Sequence, residues 1–301
     1  MGRMAATEQG FAAADRRLLL KKLEQVQELI VPMRRVIVAF SGGVDSTLLA
    51  RIARGVLGKA QVLAATADSA SLARGDLADA VALARKLDLA HTVVATKELE
   101  QAEYQANIGR RCYFCKQALF TELGTLASER HYRFILYGAI GDDLASERPG
   151  QQAASERGVR APLQEAGFSK LEVRQLSRHL GLPNWDKPQN ACLSSRISIG
   201  QVVNTEKLRQ VEQAEAVVRG LGFAQVRVRH QGDRARVEVG RWELSRLEEA
   251  TLRERLIQGV QRSGFAAVEI DPLGYRSSGA DSELEGQPEP QGSRHSPGSV
   301  L

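Results

Sequence analysis

The chain has 301 residues, 43% hydrophobic and 26% charged, which is enough apolar material for a sizeable core spread over two domains. No run approaches the ~20 consecutive apolar residues of a membrane span, and the first residues lack the pattern of a secretory signal, so a cytoplasmic protein without a membrane partner is expected. The net charge of +5 suits an anionic partner, but only 5% of residues are aromatic and no basic stretch is interleaved with them, so nucleic-acid binding has no support.

In chain order, Leu18, Leu19, Leu23, Val26, Leu29 and Ile30 recur at helical spacing, and Pro32 ends that helix. The apolar run 36–40 reads as a strand. It leads into Ser41-Gly42-Gly43-Val44-Asp45-Ser46-Thr47, and residues 48–53 read as the helix that follows. Glycines let a backbone come close to an anion, and a new helix presents unpaired N–H groups to it. Ser41, Ser46 and Thr47 add hydroxyls, and Asp45 can hold a cation or an N–H. No Gly-Lys-Ser/Thr follows, which excludes a Walker A loop. The Ser-Gly-Gly-Val-Asp-Ser string resembles the pyrophosphate loop of the ATP-pyrophosphatase superfamily, whose members split ATP into AMP and pyrophosphate. That resemblance implies adenylation of a substrate.

Residues 61–66 and 91–96 read as further strands with a helix over 72–87 between them. Alternating strand and helix predicts a parallel sheet whose ligands sit beyond the strands' carboxyl ends. Asp68 and Ser69 fall at that edge. Arg110-Arg111-Cys112-Tyr113-Phe114-Cys115-Lys116 opens another helix, and the strand 134–137 ends in Gly138-Ala139-Ile140-Gly141-Asp142-Asp143. Glycines with paired acids suit either a magnesium–phosphate edge or a capped loop. Residues 148–163 read as a basic loop. Ser169-Lys170-Leu171-Glu172 is a capping box starting a helix that Gly181 and Pro183 stop. Residues 185–196, including Cys192, have no clean period.

From 197 the pattern changes to a helix at 206–221, strands at 225–229 and 234–239 joined by Gln231-Gly232-Asp233, a helix at 244–260 and a strand at 267–270. Arg227 and Arg229 share the strand face opposite Val226 and Val228, which makes either a phosphate clamp or a solvated face. The expected fold is α/β: a parallel-sheet domain over 15–196, a smaller α+β domain over 197–276, and a disordered tail over 277–301.

The three cysteines are Cys112, Cys115 and Cys192. Thiolates suit soft metals. Three fall short of the four ligands of structural zinc unless a histidine such as His131 joins them. A [4Fe–4S] cluster held by three would leave one iron open for a substrate or an extra sulfide. Independent thiols and a redox pair fit the spacing too. Cys192 alone also offers a nucleophile for an acyl-adenylate, with Lys187 and Arg196 near in sequence.

Several stretches together resemble the ATP-dependent sacrificial sulfur transferases of the LarE family. They are Ser41 to Ser46, Arg111 to Lys116, Gly138 to Asp143, Trp185-Asp186-Lys187-Pro188 with Ala191 to Arg196, Val226 to His230, and Asp271-Pro272-Leu273-Gly274-Tyr275-Arg276. The resemblance implies adenylation of a carboxylate of pyridinium-3,5-biscarboxylic acid mononucleotide and its conversion to a thiocarboxylate, in biosynthesis of the nickel-pincer nucleotide of lactate racemase. It implies ATP held by Ser41, Gly42, Gly43, Asp45, Ser46 and Gly138, Mg2+ placed by Asp142, and substrate phosphate clamped by Arg227, Arg229 and Arg276. It also implies a homo-oligomer. In one form of the family the cysteine matching Cys192 gives up its own sulfur. In the other, three cysteines hold a [4Fe–4S] cluster whose extra sulfide is the donor, and Cys112, Cys115 and Cys192 match that form. Where the family often continues as Ser-Gly-Ser-Leu-Asn, this chain has Ser277-Ser278-Gly279-Ala280. A tRNA thiolase, an amidating synthetase and a non-catalytic iron–sulfur or zinc module share parts of the pattern.

Overall fold

The computed structural model describes residues 13–144, 148–188 and 190–276, so the tail expected to be disordered lies outside the described residues. The chain divides into two compact units, 1–212 and 213–301.

The first unit alternates helix and strand: α1 (Ala13–Ile30), β1 (Val36–Ala39), α2 (Val44–Leu57), β2 (Val62–Asp68), α3 (Arg74–Lys86), β3 (Ala90–Ala95), α4 (Ala102–Ala106), α5 (Arg111–Glu129), β4 (Phe134–Tyr137), α6 (Arg148–Glu156), α7 (Pro162–Glu165) and α8 (Lys170–His179). The strands form one parallel sheet in the order β3-β2-β1-β4. Every position of β1 is apolar because helices cover both faces of the sheet. Val36 and Val38 pack with Leu48 and Leu49 of α2 and Leu176 of α8. Ile37 packs on the other face with Phe120 and Leu123 of α5. Leu48 is wholly buried, and Leu48→Ala would cost about 2–5 kcal/mol.

The topology positions the site. The chain runs from β1 outward to β2 and β3, then returns to place β4 on the other side of β1. Strand order reverses between β1 and β4, and a crevice opens beyond the carboxyl ends at such a point. The loop 40–43 and Gly138 both lie there.

The second unit contains the end of α9 (Thr205–Gly220), then β5 (Val226–Gln231), β6 (Arg234–Val239), α10 (Ala250–Gln261) and β7 (Ala267–Ile270). β5 and β6 form the expected antiparallel hairpin, and β7 runs parallel to β6. Val228, Val237 and Val239 are wholly buried.

Two local expectations are corrected. Residues 148–163 are not a loop but carry α6 and α7. Pro149 and Gly150 suggested a break, yet proline is tolerated in a first helical turn, and Ala153 and Ala154 are buried. A Cβ on Gly150 would come within 2.9 Å of Lys116 Cδ, so the glycine admits a side chain of α5. The single helix expected over 244–260 is instead a 3-10 segment, Arg241–Glu248, and α10, separated by the extended Glu249.

Candidate active site

The loop between β1 and α2 is held by its own hydroxyls. Ser46 Oγ donates to Gly43 O at 3.1 Å and lies 3.1 Å from Ser41 Oγ, while the Gly43 N–H donates to Ser41 Oγ at 3.3 Å. Gly42 has a left-handed φ of +69°, and a Cβ there would sit 3.0 Å from Ala80 Cα. A Cβ on Gly138 would lie 2.7 Å from Ser46 N. The end of β4 therefore presses on the first turn of α2, and Gly138 acts by close approach. Asn184, absent from the sequence expectations, braces the loop from behind by donating to Gly42 O and Thr47 Oγ1, each at 3.1 Å.

A cavity of about 220 Å³ opens in front of the loop, lined by Ser41, Gly43, Asp45, Lys170, Lys187 and Asn190 among others. Lys170 Nζ lies 2.7 Å from Asp45 Oδ2. Lys187 Nζ lies 3.9 Å from Asp76 and 3.7 Å from Asp79. Two lysines and the first turn of α2 suit a polyphosphate. Asp142 is not among the cavity's lining residues. Its Oδ2 accepts the Lys170 backbone N–H at 2.7 Å, which fixes the start of α8. Asp143 accepts the Ile140 N–H at 3.0 Å.

Cys112 and Cys115 stand on the first two turns of α5, and none of the three cysteines is in a disulfide. Cys115 is partly buried as a residue, but its thiol is enclosed. Burial pushes that thiol up, and the charges of Cys192, Glu98 and Cys112 push it further. Cys112 and Cys192 thus both lie close enough to Cys115 to bear on its thiol. Among the described residues no three His, Cys, Asp or Glu side chains stand in metal-binding geometry. The donor set of three thiols still suits an iron–sulfur cluster in kind, because thiolates are its ordinary ligands.

Cys192 is extended and precedes a 3-10 turn, Leu193–Arg196. Arg196, 2% exposed, donates to Ala191 O at 2.5 Å, Cys192 O at 3.1 Å and Asn190 Oδ1 at 3.2 Å. These bonds shape the backbone around Cys192. Leu193 N donates to Ser71 O at 2.8 Å, tying the segment to the turn after β2.

In the second unit the two arginines of β5 differ, Arg227 being covered and Arg229 partly exposed. Arg227 is buried, stacks 4.5 Å from the Tyr275 ring centroid, and donates to Tyr275 OH at 2.9 Å and Arg276 O at 3.1 Å. Arg229 Nε lies 2.6 Å from Glu238. The buried Asp271 holds Arg236 at 2.7 Å and Arg276 at 3.2 Å. Arg227 and Arg276 are thus brought together, and Arg229 lies two residues along the same strand.

A glycine loop at the switch point of a parallel sheet, facing a lysine-lined cavity, defines an ATP-dependent enzyme with a pyrophosphate loop. The NAD synthase family matches residues 18–117, which contain that loop. The pyridinium-3,5-bisthiocarboxylic acid mononucleotide synthase of Lactiplantibacillus plantarum is 35% identical over 245 residues, covering 81% of this chain and 88% of that protein. The chain belongs to the family of that synthase, the LarE family. It is also similar to the uncharacterized Synechocystis protein slr1717, 45% identical over 260 residues, 86% of this chain and 97% of the relative. The Methanocaldococcus jannaschii protein MJ0830, uncharacterized as well, is 25% identical over 81% of this chain and 92% of its own length.

Proposed function

We propose that the chain adenylates a carboxylate of pyridinium-3,5-biscarboxylic acid mononucleotide and converts it to a thiocarboxylate. The carboxylate oxygen attacks the α-phosphorus of ATP, and pyrophosphate leaves. A sulfur nucleophile then attacks the carbonyl carbon, and AMP leaves with the bonding electrons. Ser41 to Ser46, Lys170 and Lys187 hold the pyrophosphate, and Asp45 meets the Mg2+ that accompanies ATP. Asp142 supports that edge through Lys170. Domain 15–196 activates, and domain 197–276 offers Arg227, Arg229 and Arg276 to the substrate phosphate.

One observation supports joining the two half-reactions: Pro188 and Asn190 line the nucleotide cavity, and Cys192 follows in the same short segment. In this reading Cys112, Cys115 and Cys192 would hold a [4Fe–4S] cluster. When bound, a cluster with three protein ligands supplies an open iron that can carry the donor sulfide. The second reading, favoured by the place of Cys192 just along the chain from the cavity residue Asn190, is sacrifice of that cysteine. Its Sγ attacks the acyl-adenylate, loss of the Cα proton breaks the Cβ–S bond, and dehydroalanine remains.

Anaerobic purification with iron and sulfide analysis, followed by intact mass after turnover, separates the two. The cluster reading expects about four irons per chain and no mass loss. An iron-free protein about 34 Da lighter, the mass of one hydrogen sulfide, would replace it with the sacrificial reading. Failure of the chain to form AMP with the biscarboxylate nucleotide would overturn both.

A further inference from the structure

A buried polar cluster joins the turn after β2 to the Cys192 segment. Glu98, 1% exposed, sits in a short helical turn after β3. Its Oε1 accepts the Ser69 hydroxyl, and the Ser71 hydroxyl at 3.4 Å. Ser69 Oγ and Ser71 Oγ lie 2.7 Å apart. Tyr104 stands close to Ser71, and its hydroxyl lies 2.6 Å from Ser194 Oγ. Ser69, Ser71, Tyr104 and Ser194 are all buried. The turn holding Ser69 and Ser71 makes two further contacts: Ser71 O accepts the Leu193 N–H, and Leu72 lines the nucleotide cavity. The second carboxylate oxygen of Glu98 is buried with no hydrogen-bond partner. A buried carboxylate left half-satisfied is costly and calls for an explanation other than folding.

We propose that Glu98 is a positioning residue for sulfur transfer: through Ser69, Ser71, Tyr104 and Ser194 it holds the Cys192 segment against the nucleotide cavity. The inference rests on the proposed sulfur-transfer function. Glu98 joins two events that occur in different places, activation in front of the loop and attack from the cysteine region. A displacement of about 1 Å at the reacting atoms can cost about 10²-fold in rate. Loss of the carboxylate therefore uncouples the steps: ATP is still cleaved, and the acyl-adenylate is lost to water before sulfur reaches it.

The test uses the full chain under anaerobic conditions with Glu98→Gln, Ser71→Ala and Tyr104→Phe. AMP and thiocarboxylate are counted together, and alkylation of Cys192 by iodoacetamide is followed by peptide mass spectrometry with and without ATP. The expected result is persistent AMP formation, a thiocarboxylate-to-AMP ratio falling toward the 10²-fold scale of misplacement, and a changed alkylation rate at Cys192. A general folding defect would lower AMP and thiocarboxylate in parallel and leave their ratio unmoved, which overturns the proposal. So does an unchanged alkylation rate. If the wild-type chain makes no AMP with the biscarboxylate nucleotide, the function falls, while the alkylation rates still decide whether Glu98 positions Cys192.

Discussion

Lys170 Nζ lies 2.9 and 2.7 Å from the two carboxylate oxygens of Asp45, joining the first residue of α8 to the first turn of α2 beside the cavity. The pair leaves a cation and an anion partly exposed at a polyphosphate-sized opening, with side chains 30% and 24% accessible. In the proposed reading, a nucleotide with its metal would give each partner a new counter-ion: phosphate oxygens for Lys170 and Mg2+ for Asp45. Lys170→Met should lower kcat/KM for AMP formation by about 10²–10³-fold, because a preorganised charge on the departing pyrophosphate is lost. Steady-state pyrophosphate release measures it, and a rate close to wild type would remove Lys170 from the site.

The roles of the two aspartates separate by substitution. Asp142 spends Oδ2 on the Lys170 amide, and asparagine can still accept that bond. Asp142→Asn should therefore leave the Mg2+ concentration for half-maximal activity near that of the wild type. Asp45→Asn should raise it. The reverse pattern would return the metal to Asp142, as the sequence resemblance implied.

Gly138 makes a steric prediction. A Cβ at this position meets the backbone of Ser46 at 2.7 Å, and backbone cannot swing aside as a side-chain tip can. Gly138→Ala should destabilise the fold by about 1–3 kcal/mol and displace the loop. A lowered melting temperature together with a raised KM for ATP is expected. An unchanged melting temperature would show that the approach is looser than the structure has it.

The Cys115 thiol gives a pH dependence for the metal-free chain. Its proton is held more tightly when folded, chiefly through burial. Below the ordinary thiol value of 9.0 both states keep the proton, and stability does not depend on it. Above that value the unfolded chain ionises and the folded one does not, so stability falls by up to about 1.4 kcal/mol per pH unit. Melting temperatures measured under reducing conditions from pH 8 upward, roughly spanning the free-thiol range, should fall, and Cys115→Ala should flatten the fall. An equal slope in both chains would place the enclosed thiol elsewhere.

What the sequence made legible were local patterns. The capping box at Ser169 and Glu172 forms as expected, with Glu172 N donating to Ser169 Oγ and Ser169 N to Glu172 Oε2. The glycine loop and the hairpin at Gly232 were equally readable, because a turn's chemistry lies within a few residues. The partners of the site were not. Lys170 and Asp45 are 125 residues apart, and Asn184 and Gly42 are 142 apart. No periodicity reports such pairs. Nothing in the sequence singles out Glu98, and only the fold buries it against Ser69 and Ser71. Arg227 and Arg229 were readable as sharing a face, but the cover of Arg227, Tyr275 and Arg276, comes from a segment with no strand pattern.

In the proposed function one short segment carries sulfur chemistry to a carboxylate activated in the adjoining cavity. Cys192→Ala tests it most directly, with AMP, pyrophosphate and thiocarboxylate measured from ATP and pyridinium-3,5-biscarboxylic acid mononucleotide. The expected result is AMP and pyrophosphate without thiocarboxylate. Thiocarboxylate formed at the wild-type rate would contradict it.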